Sequence, residues 1–172
     1  PAAWTDHSTQ GLCKSVYAYT HETVQALIEA GAKPDYVQIG NEITYGLLWD
    51  TPEGKYPTNA SEYTAAGYCT TWNSTYTANS AWPRTAAILD NAAQGVHKAF
   101  SACGEDSTSV KIMLHTELSG MTSNSDNFYK HLRTAGMTNY DVIGLSYYPT
   151  EHGDLLSLSS VLTTLKSDFP DK

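Results

Sequence analysis

Helical and strand-like hydrophobic patterns alternate along the entire chain, and this alternation restricts the possible folds more than any other feature of the sequence. Apolar residues recur at helical spacing in four segments, residues 9–30, 84–102, 124–135 and 155–168. Short apolar runs rich in β-branched residues lie between them, at residues 36–40, 110–116 and 140–147. Strands that are connected by helices pair in parallel and are covered by those helices. The pattern therefore predicts an α/β fold, either a doubly wound open sheet or part of a (β/α)8 barrel.

Polar and aromatic residues lie at the carboxyl end of each predicted strand. In chain order they are Asn41 with Glu42, His115 with Glu117, and Tyr147 with Tyr148. A barrel places its catalytic residues at this edge of the sheet. No glycine-rich phosphate loop follows any of the strands, which disfavours a nucleotide-binding open sheet. The barrel is the preferred interpretation, with three of its eight strands in this chain.

Glu42 is the first candidate catalytic residue, because a carboxylate at the end of a buried strand has a rigid backbone behind it and a cleft in front of it. A general acid must be held within hydrogen-bonding distance of the atom that it protonates. The neighbouring Asn41 can bind a ligand hydroxyl without adding charge. The dipeptide by itself favours the plainer interpretation, a polar turn that ends a strand.

The longer run from Ile39 to Trp49, which contains Ile-Gly-Asn-Glu-Ile and then Gly-Leu-Leu-Trp, closely resembles glycoside hydrolase family 53, the endo-β-1,4-galactanases. The resemblance continues at Ala3-Trp4, at Lys111-Ile112-Met113-Leu114-His115 and at Ser146-Tyr147-Tyr148-Pro149. It implies a (β/α)8 TIM barrel in which this chain supplies strands four to six, as one partial catalytic domain over residues 1–172.

The same resemblance implies retaining hydrolysis of β-1,4-galactan, a side chain of pectin, with Glu42 as the acid/base. The nucleophile of the family is a glutamate at the end of strand seven, which we expect beyond Lys172. Asn41 matches the residue that holds the sugar 2-hydroxyl. Trp49, His115, Tyr147 and Tyr148 are further substrate-binding candidates, although packing or a structural hydrogen bond would also explain the histidine and the tyrosines.

Glu117 is the nearest alternative to a nucleophile outside the chain, because adjacent strands lie about 4.8 Å apart. Two other functions stay open. The chain could come from another clan A endo-glycosidase, such as a mannanase, xylanase or cellulase-like enzyme, or from a non-catalytic carbohydrate-binding barrel. Gly46-Leu47-Leu48-Trp49 disfavours the first of these.

Residues 43–83 form a long polar segment rich in Gly, Pro, Ser, Thr and Tyr, which we interpret as a loop over the active face. A short helix is predicted near Ser61–Gly67. Trp49, Trp72 and Trp82 are its candidate platforms for sugar rings, although each could instead fill the core of the loop. An insertion without a role is the alternative for the whole segment.

The formal charge of −8 argues against nucleic acid or an anionic membrane surface as a partner. It is compatible with a neutral polysaccharide and with a secreted or cell-surface enzyme, as the resemblance implies. None of the six histidines has a spacing typical of a metal site, so we predict no metal and no cofactor. The remainder of the barrel is the expected protein partner.

The three cysteines, Cys13, Cys69 and Cys103, do not form a zinc-binding pattern. Three reduced thiols and one disulfide with one free thiol are both compatible with the sequence. If a disulfide forms, Cys69–Cys103 is the preferred pair, because Cys69 lies in the long loop.

Overall fold

The computed structural model describes residues 4–50, 58–69, 81–117 and 119–172. This part of the chain contains five α-helices and three strands, and every strand is separated from the next by at least one helix. The helices are α1 (Thr9–Glu29), α2 (Ala60–Ala66), α3 (Ala81–Ala102), α4 (Thr122–Thr134) and α5 (Leu155–Asp168). The strands are β1 (Tyr36–Ile39), β2 (Lys111–Thr116) and β3 (Val142–Leu145). The predicted order of helices and strands is confirmed.

Local signals account for the first turns of α1 and α5. The Ser8 hydroxyl accepts a hydrogen bond from the Gly11 amide at 3.0 Å and caps α1. The Asp154 carboxylate caps α5 in the same way through the Ser157 amide at 2.8 Å. Helix α3 begins three residues earlier than predicted, with Pro83 in its first turn, where a missing N–H costs nothing. Strand β3 is shorter than predicted.

The three strands form one parallel sheet in the order β1-β2-β3. Ile39 pairs with Leu114 in the first ladder, and His115 pairs with Gly144 in the second. Because side chains alternate between the two faces of a sheet, this register fixes which residues meet. The carboxyl ends of all three strands consequently lie at one edge of the sheet.

The core lies between the sheet and the helices. Ile112 and Leu114 of β2 are fully buried, and so are Leu89 and Phe100 of α3. Removing a side chain of this size from water contributes roughly 1.5–3 kcal/mol. The opposite face of the sheet carries Gln38, Met113 and His115, which stay partly or fully exposed. In the described residues no helix covers that face, as expected for the inside of a barrel.

Two apolar grooves lie along the outer strands of the sheet. One runs between α1 and β1 and is lined by Trp4, Tyr19 and Leu48 among others. The other runs between β3 and α5 and is lined by Ile143, Leu162 and Phe169 among others. A further βα unit on either side would cover the exposed backbone of the outer strand and its groove together.

Helical spacing does not identify which apolar residues of α1 and α5 are buried. Tyr19 and Leu27 of α1 are 60% and 44% exposed, and Leu155 and Leu162 of α5 are 72% and 51% exposed. All four belong to the apolar stripes that predict these helices. Their periodicity is real, but only one flank of each stripe meets the rest of the described chain. Tyr19 and Leu162 border the two grooves, which explains why they are apolar and still exposed.

The predicted loop over residues 43–83 is only partly confirmed. A short 3-10 turn occupies Ile43–Tyr45, and α2 provides the predicted short helix. Trp72 lies outside the described residues. Trp82 is not a sugar platform, because it is buried, stacks on His131 with centroids 4.7 Å apart, and meets Phe128 edge to face.

The preferred disulfide is wrong, since Cys13, Cys69 and Cys103 are all free. The Cys69 sulfur lies 3.2 Å from the Thr85 hydroxyl in the first turns of α3, whereas Cys103 follows the last residue of that helix. Eighteen residues of helix span about 27 Å. The two cysteines are therefore too far apart for a bond that needs Cα atoms within about 7 Å.

Within the described ranges, no helix is long and apolar enough to cross a membrane.

Candidate active site

The candidate catalytic residue, Glu42, follows β1 in an unusual backbone conformation. Its φ and ψ angles are 51° and 53°, in the left-handed region. This conformation costs a residue with a side chain about 1–2 kcal/mol. Gly40, two residues earlier, also has a positive φ of 73°. The chain therefore turns sharply at the end of the strand, and the strain is located at the residue that the sequence singles out.

The Glu42 side chain is half-buried. Among the residues that the structure describes, none donates a hydrogen bond to its carboxylate. A carboxyl group that is not engaged by the protein is available to exchange a proton with a ligand.

His115 lies at the centre of the strand ends and joins them. Its Nδ1 is 3.4 Å from the Glu42 backbone nitrogen, 3.3 Å from Gln38 Nε2 and 3.2 Å from Asn41 Oδ1. Its Nε2 is 2.9 Å from the Ser146 hydroxyl, just beyond β3. Gly144 lies beside the ring, and a Cβ there would clash with Met113, at 2.8 Å from its sulfur, while only touching His115 Cδ2 at 3.4 Å. One imidazole thus connects residues at the ends of β1, β2 and β3.

The hydrogen-bond partners assign the proton on this ring. A backbone N–H only donates, so Nδ1 accepts from Glu42. Gln38 Nε2 also donates, because the same atom is 2.8 Å from the Gly40 carbonyl oxygen. In the tautomer that accepts from the Glu42 N–H, the hydrogen is on Nε2 and faces the Ser146 hydroxyl. In that tautomer Asn41, whose Oδ1 is placed 3.2 Å from Nδ1, can bind the ring only through its amide nitrogen.

Glu117 is engaged by a protein partner. Its Oε2 accepts a hydrogen bond from the Thr44 hydroxyl at 2.6 Å, and Thr44 itself is buried. Burial and, to a smaller degree, the nearby Glu117 charge raise the pKa of Tyr45 to about 12. Glu117 thus fastens the turn after β1 to the end of β2, which suits a structural carboxylate better than a nucleophile.

Trp49 belongs to an aromatic cluster in the segment after β1. Its ring stacks on Tyr68 with centroids 4.1 Å apart, and Tyr45 lies against the other side of this tyrosine at 5.7 Å. The Trp49 indole N–H donates to the Tyr45 carbonyl oxygen at 3.0 Å. The indole is nevertheless 40% exposed. A fixed, exposed aromatic face of this kind can stack on a sugar ring.

Arg84 of α3 holds the segment that carries this cluster. Its guanidinium donates to the Leu48 carbonyl oxygen at 2.6 Å and to the Leu47 carbonyl oxygen at 3.2 Å. Leu48 has a positive φ of 52°, which few residues other than glycine adopt. Gly67 has a positive φ of 80°, and a Cβ on it would lie 2.4 Å from Arg84 Nη1 and displace the guanidinium.

Tyr147 and Tyr148 lie in the turn after β3. The Tyr147 hydroxyl donates to the Gly153 carbonyl oxygen at 2.7 Å, so it stabilises that turn. Tyr148 is 53% exposed, and its backbone N–H donates to His152 Nδ1 at 3.2 Å. The structure therefore brings Asn41, Glu42 and His115 together, whereas the Tyr147 hydroxyl is used within its own turn.

Sequence reasoning missed Gln38, Thr44, Tyr68 and Ser146. The strand register brings Gln38 and Ser146 to His115, and that register is not readable from a single sequence. Ser146 does lie within a run that resembles the family, which is the one signal that could have selected it. Over the described ranges, no group of three His, Cys, Asp or Glu residues could hold a metal ion.

Comparison with known proteins gives the family. The model of glycosyl hydrolase family 53 matches residues 1–172. The chain belongs to glycosyl hydrolase family 53. Among curated family 53 relatives, arabinogalactan endo-β-1,4-galactanase A of Aspergillus niger is 28% identical over 98% of this chain and 41% of its own. A protein of Niallia circulans, described as an uncharacterized protein in the bgaB 5′ region, is 33% identical over 98% of this chain and 39% of its own.

Solved family 53 structures have the same fold. A structure from a study of two fungal β-1,4-galactanases superposes with a TM-score of 0.74 at 28% identity, over 99% of this chain and 44% of its own. The family 53 catalytic domain of Ignisphaera aggregans gives a TM-score of 0.72 at 27% identity, over all of this chain and 38% of its own. Both are TIM-barrel enzymes. The chain thus spans about two fifths of the relatives that it matches, and its parallel sheet corresponds to part of a TIM barrel.

Proposed function

We propose that this chain is part of a retaining endo-β-1,4-galactanase and that it supplies strands four to six of the barrel. The observation that carries the proposal is the placement of Glu42. It stands at the carboxyl end of a parallel strand, in a strained conformation, with a carboxylate that no described residue engages. Family membership and relatives named as endo-β-1,4-galactanases support the same substrate.

In this mechanism Glu42 protonates the leaving glycosidic oxygen and then removes a proton from the attacking water. A retaining glycosidase needs a second carboxylate about 5–5.5 Å away. We place it on strand seven, beyond Lys172. Glu117 is a weaker candidate for the nucleophile, because its carboxylate accepts a hydrogen bond from the Thr44 hydroxyl.

The substrate contacts follow from the same edge of the sheet. Asn41 is exposed next to Glu42 and is proposed to hold the sugar 2-hydroxyl. Trp49, supported by Tyr68, offers a stacking face. Tyr148, and the ring of Tyr147 rather than its hydroxyl, are proposed to line the cleft. The substrate is a pectin galactan, so the enzyme is proposed to act outside the cell.

Glu42→Gln in the full-length protein tests the assignment. We expect hydrolysis of β-1,4-galactan to fall by about 10²–10⁴-fold, the usual contribution of a general acid. Formation of the glycosyl-enzyme from an aryl galactoside with a 2,4-dinitrophenyl leaving group should fall far less, because that group leaves without protonation. Glu117→Gln is the matched control and should retain activity within about tenfold.

Three outcomes would contradict the proposal. Equal loss in Glu117→Gln and Glu42→Gln would place the second carboxylate inside this chain. A wild-type protein that hydrolyses mannan, xylan or cellulose but not galactan would remove the substrate assignment. A wild-type protein that binds galactan without turnover would indicate a carbohydrate-binding barrel.

A further inference from the structure

The strained backbone of Glu42 needs support, and the structure shows where it comes from. In the described residues only Glu42 and Leu48 have a positive φ without being glycine. Leu48 is supported by Arg84, which donates to its carbonyl oxygen. At Glu42 the contact from another strand is different, because the backbone N–H donates to His115 Nδ1 at 3.4 Å.

The His115 ring is itself held in place. The Ser146 hydroxyl binds Nε2 at 2.9 Å, and the ring lies against Gly144, its partner in the ladder between β2 and β3. Gln38 donates to the Gly40 carbonyl oxygen and to His115 Nδ1, so it joins the turn to the ring. The position of the Glu42 backbone is therefore fixed by contacts with β2 and with the residue after β3, and not only by the strand that precedes it.

We propose that His115, held by Ser146, is a positioning residue that keeps Glu42 in its left-handed conformation through the Glu42 backbone N–H. This inference rests on the proposed function for its catalytic consequence, since a shift of the Glu42 backbone moves the acid away from the glycosidic oxygen. Both ring nitrogens already have protein partners. The ring therefore acts through Glu42 rather than by binding a sugar hydroxyl.

Two substitutions separate the functions of the two ring nitrogens. The Asn side-chain oxygen lies near the position of Nδ1, so His115→Asn keeps an acceptor for the Glu42 N–H. His115→Gln reaches the position of Nε2, so it keeps the contact with Ser146 and loses the acceptor. Both would be made in the full-length protein and compared by kcat and KM on β-1,4-galactan and by hydrogen exchange of the Glu42 amide, using selective ¹⁵N-glutamate labelling.

We expect His115→Gln to lower kcat by about 100-fold with KM changed by less than about threefold, the pattern of a misplaced catalytic group. His115→Asn should stay within about tenfold of wild type. Protection of the Glu42 amide should fall by at least about tenfold in His115→Gln and be retained in His115→Asn. Ser146→Ala is a smaller change and should lower kcat by about 3–10-fold at unchanged KM. It replaces His115→Gln as the test if that variant does not fold.

His97→Gln is the control. His97 also uses both ring nitrogens, with Ser107 and Asn139 as partners, but it lies on α3 at the other end of the sheet. Its kcat and the protection of the Glu42 amide should match those of wild type.

The proposal is overturned if His115→Asn and His115→Gln lose activity equally while Glu42 keeps its amide protection. It is also overturned if KM rises at constant kcat, because that pattern indicates a direct substrate contact. If wild type does not hydrolyse galactan, the proposed function fails, yet amide exchange in the two variants still decides whether His115 holds the Glu42 backbone.

Discussion

At the scale of single residues, Glu42 combines a free carboxylate with a backbone that only its neighbours can maintain. Its φ of 51° is one that glycine adopts without penalty. A glycine at this position would remove the strain. The glutamate found there is therefore explained by the proposed catalytic role and not by stability.

Glu42→Gly and Glu42→Ala measure this strain. We expect the glycine variant to be more stable than the alanine variant by about 1 kcal/mol, although alanine is favoured over glycine at most positions. Urea unfolding of the full-length protein gives both values. The control pair is Glu117→Gly and Glu117→Ala, because Glu117 has no positive φ. A Glu42 glycine variant no more stable than its alanine counterpart would mean that the left-handed conformation is not strained.

The sequence predicted which residues lie at the edge of the sheet, but it did not predict the contacts between them. Asn41, Glu42 and His115 are visible in the sequence because each lies at the carboxyl end of a strand pattern. The contact between His115 and Ser146 depends on the pairing of His115 with Gly144, which joins residues 29 positions apart. The positive φ of Glu42 has no sequence signal either, because glutamate rarely adopts it.

At the scale of elements, the segment after β1 is stabilised chiefly by contacts with its neighbours. Arg84 binds two of its carbonyl oxygens, and Glu117 binds Thr44. The Cys69 amide donates to the Tyr45 carbonyl oxygen at 2.8 Å, which ties the end of α2 to the 3-10 turn. Helix α3 is thus both a layer of the core and the anchor of the Trp49 platform.

Arg84→Ala tests this anchor. We expect the free energy of unfolding to fall by about 2–3 kcal/mol, since two half-buried carbonyl oxygens lose a charged donor. KM for galactan should rise with little change in kcat, because the change affects the platform and not the acid. Arg84→Lys should restore only part of the loss, because an ammonium cannot bridge both carbonyl groups in the same way.

Arg133→Ala provides the comparison. Arg133 is exposed and donates to the Asp168 carbonyl oxygen at 2.9 Å. Its loss should cost less than about 1 kcal/mol and leave KM unchanged. An equal effect of the two alanine substitutions would contradict the anchoring role of Arg84.

Helix boundaries were predicted well where a cap is encoded locally, as at Ser8 and Asp154. The buried face of a helix was predicted less well. Leu155 and Leu162 have helical spacing with Val161 and Leu165, yet only the latter two are buried. Periodicity identifies an apolar stripe, but it does not identify the element that covers each part of it.

At the scale of the whole molecule, the described chain is one sheet with helices on one face and an apolar groove along each outer strand. Fold class followed from the alternation of patterns alone. The disulfide preference failed because the length of α3 separates its two cysteines, and that distance becomes clear only when the helix is placed between them.

The rate at which a buried cysteine reacts with a thiol reagent measures the unfolding of the whole molecule. Burial raises the pKa of Cys69 to about 11. At pH 8 only about one Cys69 thiol in a thousand is then ionised, and the thiolate is the reactive form. We expect Cys69 to react with a thiol reagent only upon global unfolding, whereas Cys13 and Cys103, which are partly exposed, react in the native protein.

The measurement is labelling without reductant, in native buffer and in denaturant. Within residues 1–172, three thiols should react in denaturant. If Cys69 is labelled without unfolding, its labelling rate in native buffer should rise about tenfold per pH unit below pH 11. If labelling requires unfolding, the labelling rate should follow the unfolding rate. Cys103→Ser should remove a fast phase and leave the slow one. Only one reactive thiol in denaturant would show that a disulfide exists.

The imidazole that joins three strand ends has a consequence for protein engineering. Loops at the catalytic edge of a barrel are commonly treated as exchangeable modules, because each is connected to its own strand. Here the turn after β1 is hydrogen-bonded to His115, and His115 is hydrogen-bonded to Ser146, which lies two strands away. A turn transplanted alone would lose the contacts with His115 and Ser146 that fix its position. Chimaeras between family members should therefore exchange the ends of β1, β2 and β3 as one inherited block.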